Sequence, residues 1–169
     1  MKVSKKYLIW EIITVILAVA INAYIIMHSC LNASQSTEAS KGIVDAFKDF
    51  VNLFSPNAIN ETNYSDFSNF IRKAVGHFGL FMVSGFLTTI ATFMVLFPYK
   101  QDKYSLMIII SLAFGLVVAI VAEVIQLNVP GRSGEIRDVF IDFAGYLVGF
   151  LLIFLIVYLM IRKVRTRKA

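Results

Sequence analysis

The sequence predicts an all-α membrane protein with four transmembrane helices plus an extracytoplasmic amphipathic helix. Three observations predict it. The chain is 58% hydrophobic with a mean hydropathy of +0.74, too apolar for an ordinary soluble domain. Four apolar runs each approach the roughly 20 residues that carry a helix across a bilayer. Basic residues gather at the ends of those runs, as they do in proteins that face anionic lipid. The 169 residues fit one membrane domain, 1–169, with spans at about 7–27, 75–97, 105–126 and 138–161 and an outer segment at 31–71.

The first span follows Lys2, Lys5 and Lys6 and is interrupted only by Glu11, Thr14 and Asn22. Its apolar length exceeds a usual signal core, so an uncleaved helix is expected. Cys30 is the single cysteine, which rules out an intrachain disulfide, and Met27-His28-Ser29 before it makes a poor lipidation site. The outer segment carries Lys41 and Lys48 against Glu38, Asp45, Asp49, Glu61 and Asp66, a net charge of −3. Asn32–Ser40 is small and polar and reads as a linker. Ile43, Val44, Phe47, Phe50, Val51 and Phe54 then recur at helical spacing, which predicts an amphipathic helix of about three turns. Such a helix packs on the membrane surface or the bundle, or forms a lid over an outer cavity. Ser55-Pro56-Asn57 ends it.

Arg72, Lys73 and His77 stand at the start of the second span, and His77, Phe81 and Ser84 share a face. In the third span Ser111, Gly115, Ala119, Ala122, Glu123 and Gln126 form a stripe of small and polar residues, a pattern that lets helices approach closely. Asp138, Asp142, Gly145 and Gly149 share a face of the fourth. The small-residue faces could also support a homo-oligomer. Lys2, Lys5, Lys6, Lys100, Lys103, Arg162, Lys163, Arg165, Arg167 and Lys168 make up ten of the sixteen Lys and Arg residues. With an even number of spans, the positive-inside rule then predicts both termini in the cytoplasm and 31–71 outside. The basic clusters read as orientation signals, so no nucleic-acid partner is expected. No nucleotide-binding loop or paired-cysteine motif is present, and no cofactor is expected.

Candidate chemistry concentrates between residues 122 and 142. Glu123 and Gln126 share a helix face, and Pro130-Gly131 breaks the chain. Ser133 can cap the fourth helix, with Glu135 and Asp138 suiting its positive end. Glu123 and Asp142 lie inside apolar runs, where a carboxylate is costly. Together with His77 they fall at the outer ends of three spans, so one outward-facing cavity could collect them. Three roles follow from the residue types. Arg132 and Arg137 could pair with the carboxylates as a brace. Arg132 could instead hold an anionic head group or phosphate by two-point contact, with Gln126 and Asp138 contacting polar substrate groups. His77, with Glu123 or Asp142, could do acid–base work and so supply the catalytic residues. His77 and the carboxylates are also of metal-ligating types, but their loose spacing disfavours a metal site, so no metal is expected.

The segment Phe70-Ile71-Arg72-Lys73-Ala74-Val75-Gly76-His77-Phe78, then Glu123-Val124-Ile125-Gln126, Pro130-Gly131-Arg132, Asp138 and Gly145, resembles the VanZ family of bacterial membrane proteins over about residues 67–150. Asp142 departs from the pattern, which commonly has Asn there, and Val75-Gly76 replaces a tighter arrangement. The resemblance implies a bacterial cytoplasmic-membrane protein; the family is named for a member associated with low-level teicoplanin resistance. The expectation is therefore a cell-envelope protein that binds, and could modify, a lipid-linked molecule or cell-wall precursor at the outer leaflet, lowering glycopeptide sensitivity. The alternative is a non-enzymatic scaffold or partner-binding protein.

Overall fold

The computed structural model describes residues 4–96, 98 and 104–166. Lys2, Phe97, Lys100, Lys103, Arg167 and Lys168, placed above in flanks, a turn and a span end, lie outside the described residues. The elements are α1 (Lys5–Ser29), α2 (Ala33–Phe54), α3 (Tyr64–Ile71), a π-helical segment (Arg72–Gly79), α4 (Leu80–Leu96), α5 (Tyr104–Leu127) and α6 (Ile136–Thr166). Among the described residues there is no strand. Four helices are long and apolar enough to cross a membrane: Lys5–Ser29, Tyr64–Leu96, Tyr104–Leu127 and Ile136–Leu159. The protein is a multi-pass, all-helical membrane protein.

Glycine sets the closeness of the central helix pair. A Cβ on Gly145 would lie 2.2 Å from the Phe78 carbonyl oxygen, one on Gly149 would lie 2.0 Å from that of Met82, and one on Gly85 would lie 2.1 Å from that of Tyr146. Backbone therefore meets backbone along α4 and α6, a contact that only side chains of minimal size permit. On its other side α6 buries Tyr146 completely, its ring lying where a Cβ on Gly115 would come within 2.5 Å. Ile25, Phe81, Val118, Ala119, Ala122 and Phe150 complete the apolar core around it.

Buried polar groups inside the bundle pair with one another, because hydrocarbon offers no alternative. Asn22 Nδ2 donates to the Ala18 carbonyl at 2.7 Å and to Thr88 Oγ1 at 3.0 Å, and its Oδ1 accepts from Ser84 Oγ at 2.9 Å. The Tyr146 hydroxyl donates to the Ser111 carbonyl at 2.8 Å, and Ser111 Oγ lies 2.9 Å from Thr89 Oγ1. Tyr7 at the start of α1 donates to the Met94 carbonyl near the end of α4 at 2.6 Å. That contact defines one end of the bundle. The opposite end gathers the C-termini of α1 and α5, the π-helical segment and the start of α6.

Two expectations need correction. Residues 33–40 are helix, not linker: Asn32 Oδ1 accepts from the Gln35 N–H at 2.9 Å while Gln35 Oε1 accepts from the Asn32 N–H at 3.1 Å. This reciprocal capping box starts α2 ten residues before its apolar stripe. The Ala33 N–H also donates to the Pro130 carbonyl at 3.4 Å, tying α2 to the turn between α5 and α6. The second span is also longer than 75–97, since α3, the π-helical segment and α4 form one continuous helix from Tyr64. As for the apolar stripe of α2, only Val44 is buried; Ile43, Phe47, Phe50 and Phe54 are exposed. Phe47, Phe50 and Phe54 are thus left open to the surroundings, as on a helix lying in the membrane interface.

Candidate functional site

The site grows from three helix ends. The α5 stripe, spaced to keep one face toward the bundle, buries both Glu123 and Gln126. The turn 128–135 then folds back over it. Gly134 passes so close that a Cβ there would lie 2.4 Å from the Glu123 carbonyl oxygen, and this places the Glu135 N–H 3.0 Å from Glu123 Oε2. The other carboxylate oxygen, Oε1, accepts from Gln126 Nε2 at 2.8 Å. Gln126 Oε1 in turn accepts from Arg132 Nη2. Both ends of the Glu123 carboxylate and both ends of the Gln126 amide are therefore held.

The third wall comes from the π-helical segment. Wider turns of this kind concentrate at functional positions in helices, and here one presents His77 to α6. Gly145 allows the two backbones to meet one turn below, and His77 Nδ1 then lies 3.0 Å from Asp142 Oδ1 and 3.7 Å from Glu123 Oε1. Asp142 is fully buried and Glu123 nearly so. Above them Lys73 pairs with Asp138 at 2.5 Å and with Glu135 at 3.4 Å. Farther out, Arg72 donates to Ser36 Oγ at 3.1 Å and to Thr37 Oγ1 at 3.4 Å on α2.

These groups line a cavity of about 130 Å³, where a single water needs only about 10–15 Å³. Arg72, His77, Gln126, Arg132 and Asp142 form its polar wall, with His28, Ser29, Ser36 and Ser40 adding hydroxyls and an imidazole. Ile43, Val44, Ile71, Leu80 and Phe81 form its apolar wall. The first half of α2 thus covers a cavity at this end of the bundle. Two buried polar atoms in the wall have no hydrogen-bond partner among the described residues, Arg132 Nη1 and Asp142 Oδ2. Burial and the neighbouring Arg72 cation push the Arg132 guanidinium below its ordinary value, as expected for a cation that lacks a carboxylate of its own.

His77, Glu123 and Asp142, read from the sequence as catalytic candidates, are brought together directly. Arg132 and Gln126 join them through one hydrogen-bonded chain. Asp138 lies beside the cluster but is engaged by Lys73. Arg137 is exposed, and the bracing ion pairs come from Lys73 instead. Ser133, three residues before the helix begins, does not cap α6: its hydroxyl donates to Glu135 Oε1 at 3.4 Å. The sequence reading missed the roles of Ser36 and Arg72 in joining α2 to the site. An Asn-x-x-Gln capping pair at 32–35 was the signal that could have found the helix carrying Ser36.

A helical membrane protein with a His–Asp–Glu cluster, its carboxylates buried, beneath an amphipathic helix is the class that fold and site define. The sequence profile of the VanZ/LLP1 family matches residues 13–158. The chain belongs to that family. No curated protein and no solved structure gives a significant match.

Proposed function

We propose that this chain binds the anionic head group of a lipid-linked or cell-wall-associated molecule at the outer leaflet of a bacterial cytoplasmic membrane, and that this lowers sensitivity to teicoplanin-type glycopeptides. One observation carries the reading. Arg132 Nη1 is buried in the cavity wall with no partner, and an unpaired guanidinium N–H group is costly unless a ligand oxygen completes it. Arg72 stands on the same cavity, so two guanidinium groups from different elements can grip one phosphate or carboxylate. The apolar wall suits the first carbons below a head group. The exposed aromatic stripe of α2 suits residence at the membrane surface. Lys5 and Lys6, at the start of α1, lie at the other end of the bundle, which supports an outward-facing site.

Where binding extends to chemistry, the proton carrier is His77. Asp142 fixes the ring through Nδ1, so any proton exchange with a bound group falls to Nε2. The test is capture of anionic lipid by the purified protein, read by mass spectrometry, alongside teicoplanin sensitivity of cells. Arg132→Ala should reduce captured anionic lipid about tenfold, the scale of one lost charge-assisted hydrogen-bond pair, and Arg132→Lys should restore only part. Full resistance with Glu123→Gln, Arg132→Ala and His77→Ala, all equally abundant in the membrane, would overturn the reading.

A further inference from the structure

We propose that His77, Glu123 and Asp142 form a binding site for one divalent first-row transition-metal ion, of the zinc or manganese kind. Each residue offers one ligand atom, and these atoms all lie within 4.8 Å of one another. His77 Nδ1 is 3.0 Å from Asp142 Oδ1 and 3.7 Å from Glu123 Oε1. Those two values bracket the separation of about 3.4 Å that tetrahedral bonds of about 2.1 Å impose on neighbouring zinc ligands. The long sequence gaps that argue against a local metal motif are closed by three helices, not by a loop.

A second observation, independent of the distances, asks for a cation. Asp142 is completely buried, and its Oδ2 has no hydrogen-bond partner among the described residues. A proton on His77 Nδ1 can serve one carboxylate oxygen well, and Asp142 Oδ1 has it. Of the nearby cations, Lys73 is committed to Asp138, and Arg132 joins the cluster only through the neutral Gln126 amide, with no ion pair to Asp142. Two carboxylates converging on one imidazole nitrogen inside a membrane bundle need more positive charge than that nitrogen supplies.

The surroundings also have the form of a supported metal site. Gln126 Nε2 and the Glu135 N–H hold the two oxygens of Glu123, fixing a ligand carboxylate from outside the coordination sphere. Three protein ligands leave a fourth position open, as in zinc sites that act on substrates. His77 and Asp142 both line the cavity, so that position faces it. An ion there would meet the same phosphate or carboxylate oxygens as Arg132.

The test uses the full chain purified in detergent, stripped with a chelator and titrated separately with Zn²⁺ and Mn²⁺. Bound metal is counted by elemental mass spectrometry, and the Mn²⁺ form is examined for ¹⁴N coupling by pulsed electron paramagnetic resonance. The expected result is one ion per chain with histidine nitrogen coupling. Glu123→Gln and Asp142→Asn should each weaken binding at least about 100-fold, the upper end of what loss of mere outer support costs, while exposed Arg137→Ala leaves it unchanged. Absence of bound ion in the wild type at saturating metal, absence of nitrogen coupling, or unchanged binding in both carboxylate variants overturns the proposal. Should a variant fail to fold, stoichiometry and coupling of the wild type decide alone. No anionic lipid enters this experiment, and lipid capture by chelator-stripped protein tests the head-group reading separately.

Discussion

Two sets of buried polar residues share this bundle, and they are built differently. In the middle, Asn22, Ser84 and Thr88 close on one another, as do Thr89, Ser111 and Tyr146. At the covered end, His77, Glu123, Gln126, Arg132 and Asp142 form a longer chain that still leaves Arg132 Nη1 and Asp142 Oδ2 unmatched. The middle set is neutral, small and complete; the end set is charged and incomplete. Complete networks brace a fold, whereas an incomplete one in a cavity keeps a place for something else. The difference separates packing from function within one bundle, since α5 and α6 contribute to both sets.

Substitutions can break this contrast in order of expected effect. The largest is Gly149→Ala. Its new Cβ would lie 2.0 Å from the Met82 carbonyl oxygen and 2.6 Å from the Phe86 nitrogen, forcing α4 and α6 apart. A loss of about 3 kcal/mol, the upper range of overpacking, should show as a large drop in the unfolding midpoint in detergent. Lys73→Met comes next. It strands the Asp138 carboxylate, which is only 6% exposed, and should cost about 2 kcal/mol because Lys73 itself is partly solvated; the same thermal measurement applies.

Tyr146→Phe tests the middle set alone. It removes the hydrogen bond to the Ser111 carbonyl and should cost about 1 kcal/mol, in the range measured for such bonds in membranes. Metal and lipid capture should stay at wild-type levels; a selective loss of capture would erase the distinction between the two sets. The smallest stability effect belongs to Asp142→Asn. Replacing a buried carboxylate that has one unmatched oxygen should leave stability within about 1 kcal/mol of wild type or raise it. The same change should abolish tight metal binding. A strongly destabilised Asp142→Asn protein that still binds metal would reverse the assignment, making this residue a brace.

The spans were readable because hydrophobic length reports directly on bilayer thickness. The close approach at Gly145 and Gly149 was readable too, since small residues four apart have few other uses in a membrane helix. The meeting of His77, Glu123 and Asp142 could be anticipated from their depth in three spans. Their pairing could not. Which carboxylate takes Lys73, and whether Arg132 reaches an acid or an amide, depends on helix rotation, which side-chain spacing alone leaves undetermined. The π-helical turn at 72–79 was hidden for the same reason: its hydrogen-bond pattern answers to contact with α6, not to a local motif. The Asn32–Gln35 cap was the opposite case, a local signal masked by the polarity of the residues after it.

The π-helical segment has a consequence for how this molecule can change over time. Below it, the orientation of the long helix is locked by the glycine contacts of α4 with α6. At its first residue, the orientation of Arg72 toward Ser36 is set by the altered winding. One continuous rod therefore carries two independent angular settings. Lipid-facing and core positions of α4 can drift together with α6 without turning the cations at the top, and the top can be retuned for a different occupant without disturbing the rod beneath.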